Sequence, residues 1–178
     1  MVRCFIGIMI PEELKNYLEN VKKELSLVPI ACKFVENENF HICLSFLGEV
    51  DDNKIKSIAE SLDSVCAKFS SFKVTIGGVK IIPNEKYLRV LALEVVDDTT
   101  TIEKIMADIK KNIGGDSHPP HLTLCRVKNI RDKQSTIEKI KSLETESISF
   151  LVSSIQLIKS ELKKTGPVYS SAHNSRLQ

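Results

Sequence analysis

Two strand-like segments follow each other in the middle of the chain with almost nothing between them. Phe72–Ile82 and Tyr87–Val96 are rich in β-branched residues, and only a short turn containing Pro83 and Asn84 joins them. Parallel neighbours need a crossover of about a dozen residues or more, so this turn predicts an antiparallel hairpin. The hairpin argues against a doubly wound parallel sheet. We therefore predict an α+β fold with helices packed outside antiparallel sheets.

Further strands and helices alternate along the rest of the chain. Gly77-Gly78 interrupts one strand pattern and predicts a bulge, while the residues from Ser170 onward are polar and predict a frayed tail with a solvated His173. The other predicted strands are Val2–Ile10, Phe40–Leu47, His121–Val127 and Ile148–Lys159. Apolar residues at helical spacing predict helices that begin at Pro11, near Asp51 and near Asp98, with a weaker one over Asp132–Leu143.

The composition limits the class of protein. The 178 residues are 42% hydrophobic and 27% charged, which is typical of a globular domain, and no apolar run reaches the ~18 residues of a membrane helix. A net charge of +2 argues against coating nucleic acid by charge alone, although a site for one phosphate remains compatible with it. The five cysteines are odd in number and lack zinc-binding spacing, which predicts reduced thiols, no metal and a cytoplasmic protein. Nothing in the sequence demands more than a monomer.

Two of the strand segments repeat one pattern of chemistry. Each buries an aliphatic face and presents on the opposite face a histidine followed, two residues later, by a small side chain bearing O–H or S–H. The polar faces are predicted to carry His41, Cys43 and Ser45 in the first segment and His121, Thr123 and Cys125 in the second.

Two such faces predict acid–base chemistry if they meet across one cleft. The unperturbed pKa of histidine is about 6.5, so one imidazole can accept a proton while its protonated partner donates one. Hydroxyl donors two residues away can stabilise negative charge on phosphoryl oxygens. Phosphodiester cleavage is the reaction that uses this set, and it requires no metal.

The chain resembles the 2H phosphoesterase superfamily and, within it, the RNA 2',3'-cyclic phosphodiesterases that are also described as 2'-5' RNA ligases. The resemblance covers nearly the whole chain and is specific because both motifs occur together. It is carried by Arg3–Ile8 with Pro11–Leu14, by Phe40–Val50, by His118–Arg126, and by Ser160 with Gly166–Tyr169.

The resemblance implies a fold, an activity and site residues. It implies one domain over residues 1–178, built from two interleaved, pseudo-symmetric lobes around a central cleft. Its substrate would be an RNA with a 2',3'-cyclic phosphate end, or a small cyclic nucleotide, opened to a 2'-phosphate without any cofactor. Ligation to a 2'-5' bond would be the same displacement in reverse. His41 would be the proton donor and His121 the proton acceptor, although a nearly two-fold site also permits the reverse.

The phosphate-binding residues implied by the resemblance are Cys43, Thr123 and Arg126. Cys43 stands where the family usually has Thr or Ser, and it is interpreted as a weakened donor, as a tolerated replacement, or as a nucleophile activated by histidine. Strict alternation would turn Arg126 to the aliphatic face, so its role requires a bulge or a strand end. Otherwise it is a surface arginine at the cleft rim.

Several other residues have both a functional and an ordinary interpretation. His118, before Pro119-Pro120, is predicted to be a loop residue and not a metal ligand. Other candidates are cations near RNA phosphates or aromatic rings that stack a base, and each is equally explained by surface charge or core packing. They are Lys86, Arg89, Phe5, Phe46 and Tyr169. Two other functions remain open: a module that holds an AMP-like nucleotide without turnover, and an interaction domain in which the motifs are accidental.

Overall fold

The computed structural model of the protein describes residues 1–164 and 166–178. Nine strands in these residues belong to one sheet, and every pairing in it is antiparallel. The strands are β1 (Val2–Met9), β2 (Ile30–Phe34), β3 (His41–Val50), β4 (Phe72–Ile82), β5 (Val90–Val96), β6 (His121–Ile130), β7 (Ile148–Val152), β8 (Ser154–Lys163) and β9 (Gly166–Arg176). The helices are α1 (Lys15–Ser26), α2 (Ile55–Cys66), α3 (Thr101–Asn112) and α4 (Lys133–Lys141).

The strand order is β7-β4-β5-β6-β3-β1-β8-β9, with β2 paired to β6 beside β3. The order places β3 and β6 at the centre, where the two halves of the sheet meet. The predicted hairpin is present, since β4 pairs with β5 from Ile82 opposite Val90 to Thr75 opposite Val96. The predicted α+β fold with antiparallel strands and outer helices is therefore confirmed.

The helices pack on two different halves of the sheet. Helices α2 and α3 contact each other, and they contact strands β3, β8 and β9. Helix α4 lies beside the β4–β5 connection, where Lys141 forms an ion pair with Glu85 at 2.7 Å. Helical leucines such as Leu18 and Leu62 are fully buried in one apolar cluster that includes strand residues, and each stabilises the fold by about 1.5–3 kcal/mol.

The four predicted helices are all present. Short 3₁₀ turns over Glu12–Leu14 and Asp52–Lys54 precede α1 and α2, so these helices begin a few residues later than their first acidic residues. No helix in the described ranges combines the length and the apolar character needed to cross a membrane.

The predicted strand Ile148–Lys159 is wrong as a single element. It is two strands, interrupted at Ser153: β7 pairs with β4, and β8 pairs with β1 on the far side of the sheet. The apolar pattern continues across the break, so it did not reveal that the chain changes partner there. The prediction also missed β2, a short strand that contacts β6 and is half-exposed.

The predicted frayed tail is also wrong. Residues from Ser170 continue β9, which pairs with β8 as far as Arg176 opposite Ser154. The His173 Nε2 atom lies 2.8 Å from Asp63 Oδ1 on α2, so this histidine is not merely solvated. The polar composition suits an edge strand that has one face in water.

The bulge predicted at Gly77-Gly78 is present. The β4–β5 register shifts between Gly77 and Val79, and Gly78 has a φ of +67°, which favours glycine.

Candidate active site

The two motif strands lie side by side at the centre of the sheet. Ile42 of β3 is opposite Leu122 of β6, and both side chains are fully buried. Strand alternation turns the residues on either side of this pair to the opposite face. One position further in the antiparallel register, His41 is opposite Thr123 and His121 is opposite Cys43. The structure thus brings four of the five predicted site residues onto one face, around an approximate two-fold axis.

Both histidines are oriented by the same local contact. Nδ1 of His41 lies 2.7 Å from the carbonyl oxygen of Asn39, and Nδ1 of His121 lies 2.9 Å from that of Pro119. A carbonyl oxygen can only accept, so Nδ1 carries the hydrogen in both rings. This leaves both Nε2 atoms for proton transfer in the cleft.

Both motif strands contain a bulge at the same position, three residues after the histidine. The β1–β3 register skips Leu44, and the β5–β6 register skips Leu124. In each strand the bulged leucine and the residue after it are both buried, although strict alternation would separate them. The predicted faces are therefore wrong at Ser45 and Cys125, which turn inward. Ser45 Oγ donates to the carbonyl oxygen of Gly114 at 2.8 Å.

The same bulges return the following residue to the cleft side. Arg126 is exposed, and its positive charge contributes to lowering the pKa of His41, so it lies within electrostatic reach of that ring. The bulge on which the predicted role of Arg126 depends is thus present. Phe46 occupies the equivalent position in β3 and is 40% exposed.

The ring of His41 is enclosed by aromatic side chains. Its centroid lies 4.6 Å from that of Phe5 and 5.3 Å from that of Tyr169. Burial lowers the pKa of His41 below 6.5; the hydrogen bond to Asn39 opposes this change, whereas positive charge on His121 and Arg126 adds to it. Without a ligand, the structure thus favours neutral His41.

Gly7 lets this enclosure form. It is opposite Cys43 in the β1–β3 pairing, and a Cβ atom at this position would lie 2.8 Å from the carbonyl oxygen of Ile42 and 3.4 Å from the Phe5 ring. A larger residue would displace the strand that carries His41.

His121 lies in a more open setting. Its hydrogen bond to Pro119 is exposed to solvent, whereas that of His41 to Asn39 is part-buried. Water can therefore reach one imidazole more directly than the other.

Cys43 is a thiol at neutral pH. Burial raises its pKa to about 11, although a backbone hydrogen bond to Ser45 opposes the change. A group in this state is a weak S–H donor and a poor nucleophile. The environment therefore favours the weakened-donor interpretation over the nucleophile.

Asn39 and Tyr169 also contribute to the site. Sequence analysis did not identify Asn39, and it considered Tyr169 only as a ring that could stack a base. Asn39 is buried, and its Nδ2 donates to the carbonyl oxygen of Pro167 at 2.9 Å, which ties the residue that orients His41 to β9. Tyr169 of β9 packs against His41. Burial raises the pKa of its phenol and the positive charge of Arg126 opposes this change, so the phenol lies within electrostatic reach of the cleft. The only sequence signal was position: Asn39 and Pro119 both stand two residues before a histidine.

Two other predicted candidates have no direct role on the catalytic face. Phe5 is buried beneath His41 and is not free to stack a base. His118 lies in an exposed loop, as predicted. Across residues 1–164 and 166–178, no group of three or more histidine, cysteine or acidic side chains has the arrangement of a metal site.

Comparisons with known proteins match this chain over most of its length. The model of the family described as LigT like Phosphoesterase matches residues 8–92 and 94–169. The RNA 2',3'-cyclic phosphodiesterase of Methanothermobacter thermautotrophicus is 29% identical, and the alignment covers 99% of both chains. The RNA 2',3'-cyclic phosphodiesterase of Methanocaldococcus jannaschii is 32% identical over 94% of this chain and 96% of its own.

The fold also matches a solved structure. The crystal structure of E. coli LigT complexed with 3'-AMP superposes with a TM-score of 0.75 over 99% of this chain and 98% of that chain, at 20% identity.

Proposed function

The chain belongs to the LigT-like phosphoesterase family, and from this premise we propose that it hydrolyses the 2',3'-cyclic phosphate at an RNA 3' end to a 2'-phosphomonoester. The membership confirms the resemblance drawn from the paired motifs, and the protein is a phosphodiesterase enzyme. The substrate and the roles of the individual residues are the proposal.

One observation carries the mechanism. His41 and His121 lie on adjacent antiparallel strands, on one face, and each has Nδ1 bonded to a backbone carbonyl so that Nε2 is available. This arrangement supports a mechanism in which the phosphorus atom lies between one histidine that acts as an acid and another that acts as a base.

The reaction is an in-line displacement at phosphorus. Nε2 of His121 takes a proton from water, and the water oxygen forms a bond to phosphorus. The bond between phosphorus and the 3' oxygen breaks, and His41 Nε2–H donates its proton to that oxygen. The products are a 2'-phosphomonoester and a free 3'-hydroxyl, and the two histidines end with their protonation states exchanged.

The different surroundings of the two rings support this assignment. His121 is the more open ring, so it suits the role of activating water. His41 is enclosed, and a lowered pKa makes its imidazolium a stronger acid toward the poor alkoxide leaving group. The anionic phosphodiester brings negative charge beside His41 and favours its protonation when substrate binds.

Three further residues bind the phosphoryl oxygens in this proposal. Thr123 donates its hydroxyl from the position opposite His41, and Cys43 donates a weaker S–H from the position opposite His121. Arg126 supplies positive charge from beyond the bulge. Their donors stabilise the additional charge that develops on these oxygens in the transition state.

Other parts of the proposal follow from the same chemistry. An RNA 5'-hydroxyl in place of water would give reversible 2'-5' ligation. A small cyclic nucleotide has the same reacting group as the RNA end. We further infer that the enzyme is a cytoplasmic monomer of one domain over residues 1–178 and uses neither metal nor cofactor.

The experiment is to incubate the protein with adenosine 2',3'-cyclic phosphate in excess chelator and to identify the position of the phosphate in the product. The expected product is the 2'-phosphate alone. A 3'-phosphate product, or activity that disappears with chelator, would contradict the mechanism. Tight nucleotide binding without product would instead support the non-catalytic binding module.

A further inference from the structure

A second concave region lies beside the candidate active site and shares one residue with it. Residues 88–90 at the start of β5 and residues 126–130 of β6 line an open groove of about 580 Å³. We call it the β6 groove. It is open to solvent and larger than a single phosphate group needs. Because Arg126 belongs to both regions, the groove begins where the phosphate site ends.

The lining of the β6 groove is positively charged. Arg89, Arg126 and Lys128 line it, and its lining residues, all of which the structure describes, include no acidic side chain. The acidic residues of the flanking connections already have partners: Glu85 pairs with Lys141 at 2.7 Å, and Asp132 caps α4. The charge of Glu85 is therefore balanced by Lys141, and the Asp132 carboxylate is directed toward the N-terminus of α4.

The sheet fixes the backbone from which these cations extend. The backbone N–H of Val127 donates to the carbonyl oxygen of Arg89 at 2.8 Å, which ties the start of β5 to β6. The β2–β6 register shifts where Lys128 has no opposite residue, and Lys128 and Asn129 are both exposed. A bulge in β6 thus presents Lys128 to solvent just beyond Arg126.

We propose that the β6 groove binds the phosphodiester backbone of the nucleotides that precede the cyclic phosphate. Arg89 and Lys128 contact two of these phosphates, so an RNA strand is the preferred substrate over a free cyclic nucleotide, which has the same reacting group but lacks these phosphates. This inference rests on the proposed function. A 3'-terminal cyclic phosphate has further phosphates on its 5' side alone, so the strand leaves the site in one direction, and the groove begins at Arg126. Positive grooves that follow the backbone are the usual way in which proteins hold single strands.

The low net charge of the protein makes the clustered cations of the groove more important for RNA binding. A net charge of +2 gives little long-range attraction for a polyanion, so affinity for RNA must come from locally concentrated cations. Contacts to phosphate are independent of sequence, so the groove predicts recognition of strand length and not of base identity.

The test measures kcat and KM on two substrates that share the reacting group. One is an oligoribonucleotide of about six residues with a 2',3'-cyclic phosphate end, and the other is adenosine 2',3'-cyclic phosphate. The variant is Arg89→Gln with Lys128→Gln. We expect its KM for the oligonucleotide to rise about tenfold, and the dependence of log KM on log salt to become shallower by about 1.4, or 0.7 per lost contact on a single strand.

The matched control removes two positive charges elsewhere. Lys56→Gln with Lys111→Gln changes exposed residues of α2 and α3, on the other half of the sheet. It has the same net charge as the groove variant, and we expect its KM for the oligonucleotide to change by less than about twofold.

The outcomes separate the two proposals. A wild-type protein that hydrolyses neither substrate fails the proposed function itself. If both substrates are hydrolysed, the inference is overturned by a groove variant with normal oligonucleotide kinetics, or by one that loses both substrates equally. A control variant with the same loss would also overturn it, because the effect would then be one of net charge. A loss confined to the oligonucleotide and to the groove variant supports it.

Discussion

Strands β3 and β6 are built to the same plan but carry different chemistry. Each has a histidine held through Nδ1 by the carbonyl two residues earlier, followed by a bulge that turns one buried residue inward and the next one toward the cleft. After the bulge, β3 presents Phe46, whereas β6 presents Arg126. Before it, β3 has a thiol and β6 has a hydroxyl. The shared features bring two imidazoles together, and the differences make the two sides of the site chemically unequal.

The surroundings of the two rings differ in the same sense. Phe5 and Tyr169 enclose His41, whereas the backbone contact of His121 is exposed to solvent. Burial is thus the physical difference between two side chains that are equivalent by register. Burial lowers the pKa of His41, so in the proposed mechanism the negative charge of the bound phosphodiester must favour its protonation before it acts as the acid.

The largest expected effect comes from removing either imidazole. His41→Ala and His121→Ala should each lower kcat by about 10²–10⁴-fold on a 2',3'-cyclic nucleotide, because each loses one proton transfer. His118→Ala is the matched control, since this exposed loop histidine stands three residues before His121. Steady-state kinetics test the prediction. If His118→Ala lowers kcat as much as the other two substitutions, the loss is not specific to the two motif histidines and the predicted roles of His41 and His121 are wrong.

The next effect distinguishes the two donors. Thr123→Ala should lower kcat by about 100-fold, as expected for loss of a hydroxyl that stabilises developing charge. Cys43→Ala should cost about tenfold or less, because S–H is a weak donor. Both variants are measured on one substrate at one pH. Equal losses would show that the thiol is as important as the hydroxyl.

Restoring the hydroxyl should make the two strands more alike. Cys43→Thr is expected to maintain kcat or raise it by several-fold, about the advantage of an O–H over an S–H donor. Thr123→Ser serves as the control for a change of shape that retains the hydroxyl. Complete loss of turnover in Cys43→Thr would support the nucleophile interpretation instead.

The smallest effect concerns the pH profile. His41 must be protonated to donate, and burial lowers its pKa below 6.5, so kcat/KM should fall as the pH rises through a value below 6.5. Phe5→Leu reduces the enclosure and should move this basic limb to higher pH. The other groups facing the ring, His121, Arg126 and Tyr169, are unchanged in this variant.

Phe150→Leu is the control for that experiment, because it alters a buried phenylalanine of β7 in the other half of the sheet. It should leave the limb where it is in the wild type. A limb that moves to lower pH in Phe5→Leu would contradict burial as the cause.

Much of the fold and the site could be predicted because the signals are local. The turn at Pro83-Asn84 limits β4 and β5 to an antiparallel pair, and alternation places His41 with Cys43 and His121 with Thr123. The predictions failed where pairing is non-local. Alternation assigned Ser45 and Cys125 to the cleft because a bulge depends on the partner strand, and polarity assigned the residues after Ser170 to a tail because an edge strand is also polar.

The sequence by itself determined the antiparallel architecture, the family and the residue types at the site. These features depend on the periodicity of the side chains and on the identity of the residues, and both can be read directly from the sequence. Only the tertiary structure decided that Arg126 and Phe46 turn toward the cleft, that Asn39 orients His41, and that Phe5 and Tyr169 enclose His41. Each of these depends on backbone register and burial between segments far apart in sequence, and no local pattern encodes the electrostatic environment that such contacts create.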